Sequence, residues 1–147
     1  MPSIRYRSLK GYKYQLLDDY SHAVGLKPLK DPPAQVAKFV TLSSDGILTV
    51  HKFYAWDGPS GPTIDTPDFL RGSLVHDALH QLMRNEVLDY KTDRQKADEF
   101  LRQICIQDGM CRFRAWYVYQ GVHIFAAKAA RPQKEDLHEP MWAPKHP

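Results

Sequence analysis

Two runs of the chain carry residue types suited to chemistry. The first is Asp57-Gly58-Pro59-Ser60-Gly61-Pro62, and the second is Leu74-Val75-His76-Asp77-Ala78-Leu79-His80. A third part stands 22 residues beyond His76, where Asp98 lies in Gln95-Lys96-Ala97-Asp98-Glu99-Phe100. A glycine-rich loop presents backbone carbonyls and carboxylates present hard oxygens, the donor set that Ca²⁺ takes. An imidazole held by a carboxylate at one nitrogen is a general base at the other. Together these are the parts of a calcium-assisted hydrolase. The same residues also read as a plain loop and two solvated helices. In that reading Ser73, His76, Asp77 and His80 form a wet polar arc, and Asp98 pairs with Arg94 and Arg102, four residues to either side.

The elements that must position these groups are helical. Thr66 suits an N-cap, Pro67 the first helical position and Asp68 the positive end of the dipole. A helix is expected from there to about Asn85, with Leu70, Leu74, Val75, Ala78, Leu79, Leu82 and Met83 as its apolar stripe. Thr92-Asp93-Arg94-Gln95 has the pattern of a capping box, so a second helix is expected to begin at Thr92. It carries Ala97, Phe100, Leu101, Ile104 and Cys105 inward and stops at Gly109. A short connection makes the two helices antiparallel neighbours, so that His76 on one can face Asp98 on the other. Asp77, one step round the helix, is expected to point toward the loop, where Asp57 and the Gly58 and Gly61 carbonyls are. A third, aromatic helix over about 112–130 bears Phe113, Trp116, Tyr117, Tyr119 and Phe125.

Upstream, the pattern is that of strands. Residues 4–30 alternate over short stretches (Ile4 and Tyr6, then Tyr12, Tyr14 and Leu16) and read as one or two strands. Lys27 to Pro33 reads as a stiff, extended connector. Val36–Leu42 and Ile47–Tyr54 are β-branched and aromatic, and Ser43-Ser44-Asp45-Gly46 between them marks a hairpin. The expected class is α+β: antiparallel N-terminal strands over 4–54, a loop over 55–66 and three helices over 67–130. Residues 1–130 would be one domain, and 131–147 a proline-rich extended tail.

Composition narrows the function. With 147 residues, 43% hydrophobic and 25% charged, the chain is globular and large enough for a real core. A net charge of +3, with Lys and Arg scattered, argues against specific nucleic-acid binding. Cys105 and Cys111 are too few for a disulfide framework. No run reaches the roughly 18 apolar residues of a membrane span, and the N-terminus lacks a signal-peptide core. The expected location is the cytoplasm in which the chain is made.

The run from Asp57 to Phe100 resembles the small bacterial and fungal phospholipases A2, which show an Asp-Gly-x-Ser loop, a helical His-Asp pair and an Asp two residues before a Phe. Here these are Asp57-Gly58-Pro59-Ser60, His76-Asp77 and Asp98-Glu99-Phe100. The resemblance implies His76 as the base that activates water and Asp98 as its orienting partner. It further implies a Ca²⁺ site of Asp57, Asp77 and the Gly58 carbonyl, with Ser60 and His80 in support and a phospholipid or other ester as substrate. His80 stands where the pattern has Tyr, and Ser73 where the phospholipases have a helix Cys. Residues 36–127 also resemble a family of small proteins encoded by tailed phages and prophages, with an Asp-Gly-x-Ser-x-Pro loop and a His-Asp-x-x-Tyr helix. That resemblance implies a protein made in the host cytoplasm, with the virion as an alternative destination.

Three other readings use the same residues. A metal phosphohydrolase with His51, His76, Asp77 and Asp98 as ligands would need its first His on a helix, whereas His51 is expected in a strand. Zinc on His76 and His80 is a second, although the Glu of the metalloprotease motif is absent from between them. The third is a non-catalytic tail or neck component of a virion, keeping the His–Asp pair as a structural network and meeting other virion proteins through Trp116, Tyr119 and Trp142.

Overall fold

The structure, a computed structural model, describes residues 2–9, 14–58 and 66–125. Its class is α+β, with two small antiparallel sheets followed by the helices. Among the described residues of the first 30 there are three strands rather than one or two: β1 (Tyr6–Ser8), β2 (Tyr14–Leu16) and β3 (Tyr20–Ala23). The hairpin around Asp45-Gly46 forms between β4 (Val40–Leu42) and β5 (Ile47–Val50), in the register Val40↔Val50 and Leu42↔Leu48. Gly46 has φ of 81°, and a Cβ there would lie 2.6 Å from the Gly25 Cα, so the turn requires glycine twice over.

Three expectations about these strands are corrected. Ala34–Ala37 is a single helical turn, α1, so β4 starts at Val40 and not at Val36. Pro33 precedes that turn, and its carbonyl accepts from the Val36 and Ala37 amides. The run expected to stay extended to Tyr54 leaves its sheet after Val50, because Asp19 accepts from the Lys52 amide at 2.8 Å and Phe53 takes φ of 75°. The chain then crosses to the other sheet. Ala55–Trp56, expected in the loop, form β6 against β2, with Tyr14 opposite Trp56. The sheets therefore run β1-β2-β6 and β3-β5-β4.

The helices are α2 (Pro67–Arg84), α3 (Tyr90–Gln107) and α4 (Arg112–Phe125). Helix α3 begins earlier than the capping box suggests. Its N-cap is Asp89, whose side chain accepts from the Lys91 amide at 2.9 Å. The earlier start brings Tyr90 against the core. At the far end Asp108 is the C-cap and Gly109 follows with φ of 104°, as a helix stop requires. Antiparallel packing of α2 on α3 follows from three pairings that run in opposite senses: His76 with Asp98, Gly72 with Leu101 and Cys105, and Arg71 with Asp108. Gly72 sets the closeness of this contact, since a Cβ there would lie 3.0 Å from both Cys105 Sγ and Leu101 Cδ1.

Helix α2 is the centre of the molecule. Nearly every residue from Phe69 to Met83 is buried, and the apolar ones from Leu74 onward join β2, β4, β5 and β6 in the main core. A second, smaller core of Phe69, Leu101, Cys105, Met110, Ala115, Val118 and Val122 seats α4 on the helix pair. Both cysteines are free, and burial pushes the Cys105 thiol up to about 12. Among the described residues no helix is long and apolar enough to cross a membrane. The expected tail, 131–147, and the last part of the third helix, 126–130, lie outside the described residues.

Candidate active site

The polar arc of α2 is not a wet face. Ser73, His76 and His80 are buried at 2%, 5% and 3% exposure, and Asp98 on α3 is fully buried. Burial of this kind requires partners, because an unpaired polar group in the interior costs several kcal/mol. His76 has its partner: Nε2 lies 2.7 Å from Asp98 Oδ1. The carboxylate is an acceptor, so Nε2 carries the proton and donates, and the basic lone pair of the neutral ring falls on Nδ1.

Nδ1 faces Asp77, whose Oδ1 is 3.7 Å away and whose side chain is one-third exposed. Asp77 thus reaches back to the imidazole as well as outward, where a role confined to the loop was expected. Burial alone would favour the neutral His76 ring. The hydrogen bonds and charges of Asp77 and Asp98 outweigh it, so His76 protonates above its ordinary range. For Asp98 burial would favour the neutral acid, but the hydrogen bond from His76 and the nearby His80 ring hold it well below the carboxylate range.

His80 completes the cluster from one turn further along α2. Its ring lies against that of His76, with centroids 4.0 Å apart, and its Nε2 is 3.6 Å from Asp98 Oδ1. That distance is too long for a good hydrogen bond, and Nε2 is buried without a partner. Burial and the neighbouring His76 push His80 down to about 4, so the ring is neutral at pH 7. The donor atoms of His76, His80 and Asp98 lie within 4.8 Å of one another, a set able to hold a metal ion.

The loop side is positioned by Trp56. Its indole N–H donates to Ser73 Oγ at 3.0 Å, and Ser73 in turn donates to the Leu70 carbonyl at 2.8 Å. The end of β6 is thereby fastened to α2 one turn before His76 and Asp77. Asp57 is exposed and Gly58 takes φ of 75°, a turn open to glycine directly after the carboxylate. Ser60 lies outside the described residues. Asp57 and Asp77 are solvent-reaching carboxylates, and the Trp56–Ser73 bond holds the strand that leads into Asp57 against Asp77's helix. Such hard oxygens fit Ca²⁺.

His51 is elsewhere: its Nδ1 lies 3.3 Å from Asp19 Oδ2, and it has no part in the His76–His80–Asp98 set. The aromatic helix divides. Val118 and Val122 face the small core and Tyr119 is half-buried, while Phe113, Trp116 and Tyr117 are exposed at 77%, 47% and 54%. Trp142 lies outside the described residues.

One network escaped the sequence reading. Arg71, 2% exposed, forks onto both carboxylate oxygens of Asp108, with its closest contact at 2.7 Å. It also donates to the Tyr20 hydroxyl at 2.7 Å and to Gln107 Oε1 at 3.1 Å. It clamps β3 and the end of α3 to the first turns of α2. Its one sequence signal is position: at 100° per residue Arg71 falls within the apolar stripe beside Ala78 and Leu82, opposite the arc of Ser73, His76 and His80. Comparison with family models, with curated proteins and with solved structures finds no match.

Proposed function

We propose that the protein is a phospholipase A2-like hydrolase of the phage type, cleaving a carboxylic ester of a lipid. The observation that carries this reading is the 2.7 Å bond from His76 Nε2 to buried Asp98, which leaves Nδ1 as the base on the side where Asp77 reaches solvent. In the reaction, Nδ1 takes a proton from a water as its oxygen attacks the ester carbonyl. Asp98 holds the ring in the required tautomer and stabilises the imidazolium that forms. The proton then passes from Nδ1 to the departing alkoxide, and the products are a fatty acid and an alcohol.

Asp57, Asp77 and the Gly58 carbonyl would hold Ca²⁺ beside this base. When bound, the cation supplies Lewis-acid polarisation of the ester carbonyl. Calorimetric titration with Ca²⁺ tests this part. One equivalent should bind to the wild type, with loss of binding in Asp57→Asn and in Asp77→Asn. Equal binding in all three proteins would remove the assignment.

A second reading, a virion component, draws support from the exposed Phe113, Trp116 and Tyr117 on α4, an aromatic surface left uncovered by the described strands. It requires the protein to co-purify with particles. Purified virions that lack it would exclude this reading.

A further inference from the structure

We propose that His76, His80 and Asp98 form a binding site for one transition-metal dication of the zinc class, and that its occupancy takes His76 out of proton transfer. The metal half stands on the cluster alone, and the second half rests on the hydrolase reading.

The donor set is two imidazoles and one carboxylate, which suits Zn²⁺ and its neighbours and not the all-oxygen preference of Ca²⁺. His76 and His80 are one helical turn apart on α2, and Asp98 approaches from α3. The metal–ligand distances of zinc sites, about 2.0–2.2 Å, place donor atoms roughly 3–3.6 Å from one another around the ion. One observed separation is just below that range, 2.7 Å from His76 Nε2 to Asp98 Oδ1, and the other is at its upper end, 3.6 Å from His80 Nε2 to the same oxygen. Small side-chain shifts on two already packed helices therefore suffice.

Two further observations point to a metal ion. His80 Nε2 is buried with no hydrogen-bond partner, although it is aimed at a carboxylate. A dication bound by both groups would satisfy it. Beyond this, Asp77 Oδ1 lies 3.7 Å from the opposite nitrogen of His76. Histidine ligands of metals generally donate their far N–H to a carboxylate, and Asp77 is placed to accept it.

The exclusion follows from the proton count. In the catalytic arrangement Nε2 carries the proton and Nδ1 the lone pair. A metal on Nε2 must displace that proton. From the neutral ring it moves to Nδ1, and from the imidazolium it leaves for solvent while Nδ1 keeps its own. Either way the bound ring has N–H at Nδ1, facing Asp77, and no lone pair with which to activate water.

The test is a titration of the metal-stripped full-length protein with Co²⁺, read by the visible d–d absorption of the bound ion, followed by competition with Zn²⁺. One equivalent should bind the wild type and be displaced by Zn²⁺. Affinity in His80→Gln should fall by more than about 100-fold, beyond the loss expected for an outer carboxylate partner, with Asp77→Asn about 10-fold weaker. No visible band, or unchanged affinity in His80→Gln, overturns the site. Because that substitution alters a buried ring and can cost the fold, histidine-selective ¹⁵N NMR of the wild type gives a second reading. Zn²⁺ should shift the Nε2 resonances of two buried histidines and leave both with Nδ1 protonated, and spectra without these shifts count against the site. Zn²⁺ should also abolish lipid hydrolysis in proportion to occupancy. Full activity with bound Zn²⁺ would overturn the exclusion. Absence of hydrolysis in the metal-free, Ca²⁺-supplied protein would instead defeat the hydrolase reading and leave the Co²⁺ result intact.

Discussion

The Trp56 indole donates to Ser73 Oγ across 3.0 Å, in the buried interface between the end of β6 and the second turn of α2. This bond joins the strand that leads into Asp57-Gly58 to the helix that carries His76 and Asp77. Ser73→Ala should therefore have two effects. Leaving the indole N–H unpaired should cost about 1–3 kcal/mol of stability, read by urea denaturation. It should also weaken Ca²⁺ binding while leaving the His76–Asp98 bond in place. Unchanged Ca²⁺ affinity would mean that the tether does not organise the loop.

Hydrolysis should depend on pH through His76. The base must be neutral, and Asp77 and Asp98 hold its protonation above the ordinary value near 6.5. Activity should therefore rise with pH to a half-point above 6.5. Asp98→Asn removes a charge that favours the imidazolium, so the half-point should move to lower pH while the limiting rate falls by about 10²–10⁴-fold. A pH profile of kcat/KM for the two proteins checks both effects.

Stability should depend on pH through His80, whose shift runs opposite to that of His76. Its folded value is depressed to about 4 from 6.5, so between those limits the unfolded chain binds a proton that the folded chain does not. Stability from this group is complete above pH 6.5 and is lost as pH falls toward 4. The full loss is about 3 kcal/mol, at roughly 1.4 kcal/mol for each tenfold difference in proton affinity between the folded and unfolded chains. His76, with a raised value, contributes stability that is present below 6.5 and lost as pH rises through its folded value. Denaturation of wild type and His80→Gln from pH 4 to 7.5 should show the acid-side slope reduced in the variant.

Arg71 is expected to matter for the fold rather than for the chemistry. Arg71→Met strands the Asp108 carboxylate and should destabilise by about 3 kcal/mol. Arg71→Lys should rescue only part of this, since an ammonium cannot reproduce the two-pronged contact with Asp108. Thermal unfolding of both variants distinguishes this from a surface ion pair, for which each would be nearly silent.

The parts of this structure that were legible in the sequence were those set by local chemistry. Asp45-Gly46 marked its hairpin, Pro67 and Gly109 marked helix ends, and the few residues between Asn85 and Tyr90 made α2 and α3 antiparallel, which is why His76 could be matched to Asp98. The less legible parts depended on partners remote in the chain. Ser73, His76 and His80 look like a wet face by residue type, and the partners that bury the first two, Trp56 for Ser73 and Asp98 for His76, lie far off in the chain. Arg71 likewise needs Asp108 and Tyr20 before it can lie inside. The two-residue strand at Ala55–Trp56 had no pattern to detect, since its pairing with Tyr14 and Gln15 is a property of the sheet. At Thr92 a good local cap lost to Asp89, because starting earlier let Tyr90 pack on the core.

Fatty-acid release from phospholipid vesicles with added Ca²⁺, compared between wild type and His76→Ala, decides whether His76 is the base of a lipid hydrolase. Circular dichroism should first establish that the variant keeps its fold. Release is expected from the wild type, dependent on Ca²⁺, and is expected to fall by at least about 10²-fold in His76→Ala. No release from the wild type at any pH from about 5 to 9, or equal release from the folded variant, would contradict a hydrolase whose base is His76.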